Sequence, residues 1–196
     1  MLTDNPEFFN IEQQKQIGLW PLTFLPAYGM ISYIKRLRGD VVGVEIGVLK
    51  GETSHVLLES CSNIKRLYGI DPYITYTAID VVRTQEDMDS YEKTLYQNMM
   101  PFSERFELIK KKSVDAYDQF ENGTLDFVLI DGDQTEDSIH NDIELYYPKI
   151  KKNGYIFGHD IQVKFVVDAV KRYRETNRIR TPLNNSKNFV WFWIKP

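Results

Sequence analysis

A single cysteine, Cys61, among 196 residues leaves the chain no intrachain disulfide, so its stability has to come from a packed core. Such usage fits a reducing compartment, and the lone thiol reads as a small buried apolar residue. Nothing approaches the roughly 20 consecutive apolar residues of a membrane span. The first seven residues supply neither the basic start nor the apolar stretch of a secretory leader. A cytoplasmic protein without membrane contact is therefore expected. Repeats and low-complexity segments are missing too, and disorder is not expected beyond the termini. A large charge excess is also lacking, since the formal net charge is -4. Basic clusters at Lys110-Lys111-Lys112, 149–152 and 171–180 would serve nucleic acid only if folding gathered them on one face. The plainer reading is solvated strand ends and helix faces, so no nucleic-acid partner is expected.

What remains is ordinary globular composition, 42% hydrophobic and 27% charged, over a length that suits one domain with a sizeable core. Residues 1–38 stand apart, because Phe8, Phe9, Leu19, Trp20, Phe24, Leu25 and Tyr28 crowd among prolines at 6, 21 and 26. They read as a short-helical or irregular cap ending in a helix through Met30, Ile31, Ile34 and Leu37. Such an apolar cap closes over an acceptor, fills its own core, or buries itself against a second copy of the chain. Residues 39–196 form the main domain. Here strands are expected at 41–46, 66–70, 106–109, 126–130 and 155–158, with a last pair near 179–182 and 189–194. Helices are expected at 53–60, 85–100, 114–120, 137–150 and 165–176. The alternation predicts an α/β fold, a parallel sheet with helices on both faces. The linker 183–188 is too short for a helical crossover and predicts a terminal antiparallel hairpin.

Chemistry concentrates after the first strand. Val41-Val42-Gly43-Val44-Glu45-Ile46 leads into Gly47-Val48-Leu49-Lys50-Gly51 and then a helix, a nucleotide-type loop at a strand's carboxyl end. Gly47 and Gly51 carry no Cβ, so the backbone there can turn tightly and admit a ligand. Glu45 opposes a pyrophosphate, because two like charges about 4 Å apart cost roughly 4 kcal/mol at an effective dielectric near 20. A cationic ligand reverses that sign, and S-adenosylmethionine, with an ammonium and a sulfonium beside an adenosine, is one. The missing Gly-x-Gly-x-x-Gly likewise ranks an NAD-dependent oxidoreductase low. Asp71 follows Gly51 by the roughly 20 residues expected of a carboxylate that binds ribose hydroxyls.

In order, Glu45-Ile46-Gly47-x-x-x-Gly51, Gly69-Ile70-Asp71-Pro72, Phe127-Val128-Leu129-Ile130-Asp131-Gly132-Asp133 and Lys152-Asn153-Gly154-Tyr155-Ile156-x-Gly158-His159-Asp160 resemble a class I S-adenosylmethionine-dependent methyltransferase. The branch it looks like is the one containing the small O-methyltransferases and the macrolide sugar O-methyltransferases, and the resemblance covers about residues 39–196. It implies a Rossmann-like methyltransferase fold, a seven-stranded, mostly parallel sheet with an antiparallel last strand. It also implies methylation of a small-molecule or sugar hydroxyl. Glu45 and Gly47 would then lie beside the methionine moiety, Gly51 would open the following helix, and Asp71 would hold the ribose. Ser113 would line the adenine pocket, with Lys112 where relatives often carry an acid. Asp131 would end the fourth strand beside the cofactor's methyl group. Metal-dependent relatives bind magnesium with an acid there and an acidic pair after the fifth strand. Here that pair is His159-Asp160, so Asp131 and Asp160 become candidate ligands for Mg2+ or another divalent cation, histidine favouring the softer ions. Relatives often place a basic histidine three positions after the fourth-strand acid. Gln134 stands there and cannot accept a proton, which turns the base role to His159 or Asp131. His159 reads equally as a structural histidine that orients a neighbouring acid, and His55 and His140 as structural or exposed helix residues. The same departures leave open a non-catalytic adenosyl-ligand-binding or interaction protein with this fold.

Overall fold

The run Val41–Ile46 forms a strand, β1, near the middle of the sheet, as its nearly unbroken apolar pattern requires. The computed structural model of the chain describes residues 25–78, 81–133 and 135–196. Trp20 and Phe24 of the expected cap, and Gln134, lie outside the described residues. Around β1 the elements are α1 (Ala27–Ile34), α2 (Glu52–Ser60), β2 (Ile64–Ile70), β3 (Tyr76–Ala78), β4 (Val81–Arg83) and α3 (Gln85–Met99). They continue with β5 (Phe106–Ile109), β6 (Leu125–Ile130), α4 (Glu136–Tyr146), β7 (Ile150–Gly158), α5 (Lys164–Thr176), β8 (Asn184–Asn185) and β9 (Trp191–Ile194). The sheet runs β5-β2-β1-β6-β7-β9-β8, parallel from β5 to β7 and antiparallel where β9 joins β7 and β8. This is the expected Rossmann-like methyltransferase topology. β3 and β4 make a separate two-stranded hairpin.

Side chains along each strand alternate between two cores. Phe127, Leu129, Phe157 and Phe192 face a core shared with α1, α2 and α3, while Val44, Val128, Ile130, Ile156, Trp191 and Trp193 face one shared with α4 and α5. Helices therefore cover both faces. In α1, Met30 and Ile34 are fully buried, and Tyr33 packs 4.4 Å from the Phe192 ring, so residues 25–38 share the first core. α3 begins at Gln85 because Thr84 and Asp87 form a capping box, each side chain accepting from the other's backbone N–H. Cys61 is buried, as expected.

Three expectations need correction. Residues 114–120 form two 3-10 turns, Ser113–Asp115 and Tyr117–Gln119, not an α-helix, because only Ala116 and Phe120 reach the core and so short a segment cannot offset the cost of helix nucleation. Residues 179–182 are not a strand. Arg174 Nη2 donates to the carbonyls of Ile179 and Thr181, occupying acceptors that a ladder would need, and Pro182 has no N–H. The partner of β9 is Asn184–Asn185, inside the expected linker. β7 also starts five residues before the expected Tyr155, with a left-handed Asn153, φ 64°, bulging its amino-terminal half.

Candidate active site

Strand register sets the site. Ile46 pairs with Ile70 and Ile130, Ile70 with Ile109, and Ile130 with Gly158. One residue further along, Lys110, Asp71, Gly47, Asp131 and His159 therefore stand in a row at the carboxyl edge of five parallel strands. The ladder continues into that row, since Gly47 N donates to Ile70 O at 2.9 Å, Asp131 N to Ile46 O at 2.9 Å, and His159 N to Ile130 O at 3.2 Å.

Gly47 has φ +83°, and a Cβ there would lie 2.4 Å from Asp131 O and 2.6 Å from Gly132 Cα. The group that approaches Gly47 is thus the backbone of the loop after β6. Gly51, at φ +77°, caps α2, and a Cβ would meet Leu95 Cδ1 of α3 at 2.4 Å. Both glycines are demanded by packing around the loop as well as by its turns.

Asp71 folds back onto that loop. Its Oδ2 accepts from Val48 N and Leu49 N, both at 3.1 Å, and its Oδ1 accepts from Tyr73 N at 2.9 Å. Buried Tyr73, itself left-handed at φ 48°, donates its hydroxyl to Leu49 O. The first two motif loops are therefore a single hydrogen-bonded body. Oδ1 of Asp71 keeps one acceptor position beyond these contacts.

Glu45 points inward from β1, is 1% exposed, and accepts the Ser54 hydroxyl of α2. Burial pushes its pKa up to about 8, opposed by Ser54 and reinforced by the nearby carboxylates of Asp131 and Asp71. Near neutral pH the ligand-free Glu45 therefore holds a proton. The anionic form assumed from the sequence requires a compensating cation beside it.

Asp131, His159 and Asp160 form the densest cluster. His159 Nδ1 lies 3.2 Å from Asp131 Oδ1 and 3.5 Å from Asp160 Oδ1, and one donor atom from each of the three falls within 4.8 Å of the others. Gln162 Nε2 donates to Asp160 Oδ1 at 3.0 Å, and Asp160 sits at φ 59°. Burial pushes the Asp131 pKa up, with His159 pulling it down and Asp160 pushing it further up. For His159 burial opposes the charged ring, but the Asp131 hydrogen bond, the charges of Asp131 and Asp160, and the Asn188 backbone outweigh it, so its pKa is raised. Its Nε2 is buried without a hydrogen bond of good geometry, while its carbonyl accepts from Trp191 Nε1 at 3.1 Å. Two carboxylates and an imidazole whose Nδ1 faces both of them suit a divalent cation of intermediate softness.

Ser113 lies apart from this cluster, in the turn after β5. Tyr146 donates its hydroxyl to Ser113 O at 2.9 Å, and the Ser113 side chain hydrogen-bonds Asp142. Burial pushes the Asp142 pKa up to about 6, offset by that bond and reinforced by Asp133. Sequence reasoning missed Asp142, Ser54 and Tyr73. For Asp142 a signal existed, because it falls on the stripe Ile139, Asp142, Ile143, Tyr146 that α4 buries. His55 and His140 are structural: His55 Nδ1 sits 3.0 Å from Asn98 O, and His140 packs edge-on to Tyr173.

Comparison with known proteins bears on the family and the fold. A protein of Acanthamoeba polyphaga mimivirus, itself uncharacterized, is 30% identical over 133 residues, which is 64% of this chain and 53% of the viral protein. The chain thus spans about half of that relative's length. In fold it is similar to the O-methyltransferase TomG of Streptomyces achromogenes, solved with S-adenosylmethionine, at TM-score 0.61 and 13% identity over 94% of this chain and 87% of that one. It is likewise similar to an O-methyltransferase of Bacillus cereus, solved with S-adenosylhomocysteine, at TM-score 0.62 and 13% identity over 94% and 88%. The methyltransferase domain family matches residues 44–161, from the middle of β1 through the Asp131–His159–Asp160 cluster. On that match, the chain belongs to the methyltransferase domain family.

Proposed function

We propose that the protein transfers the methyl group of S-adenosylmethionine to a hydroxyl oxygen of a small-molecule or sugar acceptor. The observation that carries this reading is the placement of Asp131 and His159 at the ends of adjacent strands, one register step from Gly47. Glu45 and Gly47 would border the methionine moiety, Gly51 would start the helix under it, Asp71 would offer its remaining acceptor position to the ribose, and Ser113 would line the adenine side. The transfer is an in-line displacement, so these residues mainly orient two reactants and exclude water. Asp131 orients the His159 ring through Nδ1, and the pair would take the hydroxyl proton as general base. Because the pair favours protonated His159, that proton has to leave before the ring can act.

Asp131, His159 and Asp160 would hold a divalent cation, Mg2+ or a softer ion such as Mn2+. When bound, it would lower the pKa of the acceptor hydroxyl as a Lewis acid. In the same reading residues 1–38 cap the acceptor. Titration calorimetry of the full chain with S-adenosylmethionine, S-adenosylhomocysteine and NAD tests the cofactor. Binding of NAD and of neither adenosyl ligand refutes it. Methyl transfer to a panel of hydroxylated acceptors, with chelator and with added Mn2+, tests the reaction and the metal. Turnover indifferent to both additions assigns the base role to His159 alone.

A further inference from the structure

A second charged site lies at the other end of α5. Lys171, Arg174, Arg178 and Arg180 line an open groove of about 350 Å³, with Glu175 the one acid among the described residues of its wall. Among the described residues no carboxylate forms an ion pair with any of these four cations, although the whole chain carries a net charge of -4. α5 is 13 residues long, so its carboxyl end lies roughly 20 Å along the helix axis from its start, which is the end that follows His159.

The groove is built, not merely lined. Arg174 lies 4.9 Å over the Trp193 ring and donates through Nη2 to the carbonyls of Ile179 and Thr181, curling the segment after α5 around its guanidinium. Ile179 N donates to Arg174 O at 2.9 Å and Arg178 N to Glu175 O at 3.1 Å, the double hydrogen bond of a Schellman motif. Its left-handed position, φ 52°, is Arg178. Glycine usually fills that position because it avoids the backbone strain, so an arginine there costs stability and adds a cation to the groove wall. A helix carboxyl end favours cations through its dipole, and here four gather with Glu175 the one acid lining the groove among the described residues.

We propose that this groove binds phosphate groups, distinct from the methyl-transfer site. Arg178 and Arg180 would supply charge-assisted hydrogen bonds, and Lys171 a mobile charge. The phosphates come either from a small phosphorylated ligand or from a phosphodiester backbone. Calorimetry of the full chain with sodium pyrophosphate and with a short oligothymidylate, at about 50 and 200 mM salt, separates the two sources. We expect at least one probe to bind and to weaken at the higher salt. Pyrophosphate bound as well as the oligomer assigns a small ligand, and the oligomer alone assigns a backbone. The double variant Arg178→Gly, Arg180→Ala relieves the left-handed strain, so its unfolding midpoint should not fall, yet anion affinity should drop at least about tenfold. If that variant is destabilised, Lys171→Glu on the exposed helix face makes the same test. Lys111→Ala, Lys112→Ala, at the far end of the sheet, should leave affinity within about threefold. Absence of binding by both probes, or binding that the groove variants leave intact, overturns the proposal.

Discussion

Replacing Glu45 by glutamine should stabilise the ligand-free protein, and by an amount that depends on pH in a defined way. Glu45 is buried against Ser54, and its pKa moves from 4.5 to about 8. The folded state therefore binds one more proton than the unfolded chain between those limits, and unfolding free energy falls as pH rises through them. The sign follows directly. The Glu45 contribution is fully present below pH 4.5 and is lost by about pH 8. At pH 7 retaining the proton costs about 3 kcal/mol, from 1.36 kcal/mol per unit of pH, with a ceiling near 5 kcal/mol at pH 8. Glutamine keeps an acceptor for the Ser54 hydroxyl and carries no charge to suppress. Urea unfolding of Glu45→Gln and wild type should give equal stabilities near pH 4 and an advantage to the variant that grows to a few kcal/mol at pH 7 to 8. A difference that is constant with pH refutes the buried-acid account. The same substitution tests the proposed cofactor role. An ammonium or sulfonium beside Glu45 would restore its charge, so Glu45→Gln should bind S-adenosylmethionine more weakly than wild type. Equal loss of S-adenosylhomocysteine affinity would assign the contact to the ammonium, since the product has no sulfonium.

Other perturbations separate the remaining parts of the site. Asp142→Asn should show the same pH signature shifted to lower pH, its advantage rising from about pH 4 to 6 and flat above, because burial moves that acid to about 6. Gly47→Ala should cost about 2–4 kcal/mol by urea unfolding, combining left-handed strain with a Cβ driven against the Asp131 backbone, which has no rotamer to escape into. An unaltered midpoint would show that the two loops are not packed as described. Asp71→Asn should cost about 1.5–3 kcal/mol through weakened charge-assisted hydrogen bonds, and should raise amide exchange at Val48, Leu49 and Tyr73 before that of the sheet. Uniform exchange changes across the sheet would refute a local clamp.

How much of this was legible in the sequence depended on what each feature needs. β1 was readable to the residue, because a strand covered on both faces writes itself as a continuous apolar run. The opening of β7 was not, because Lys151, Lys152 and Asn153 lie at the sheet's amino edge, where exposed polar side chains and a left-handed residue erase the pattern although the backbone still pairs. The missing strand at 179–182 fails for a long-range reason. The guanidinium that removes its carbonyls from any ladder is anchored on α5 and on Trp193 of β9, neither of which the local sequence mentions. Hairpin β3–β4 has three-residue strands, too short for alternation to register.

The acids at the carboxyl edge were legible for a structural reason that does not extend to their chemistry. A strand followed by a turn residue and an acid must deliver that acid to the sheet's edge, so Asp71, Asp131 and Asp160 could be placed from local pattern alone. Their protonation and partners could not. Glu45 meets Ser54 nine positions away, Asp71 spends its Oδ2 on a loop more than twenty positions back, and His159 meets Asp131 across 28 positions. Each contact is made by the tertiary fold, which the local sequence does not mention. Asp71 is the instructive case: it has the spacing of a ribose ligand, yet two of its acceptor positions hold the loop that carries Gly47 and a third holds its own loop at Tyr73. A carboxylate in that position does two jobs at once, since any ligand reaching its last free acceptor must do so over a loop that the same carboxylate shapes. Loop order and ligand affinity should therefore fall together when Asp71 is changed, whereas a change at Glu45 should move affinity and stability in opposite directions.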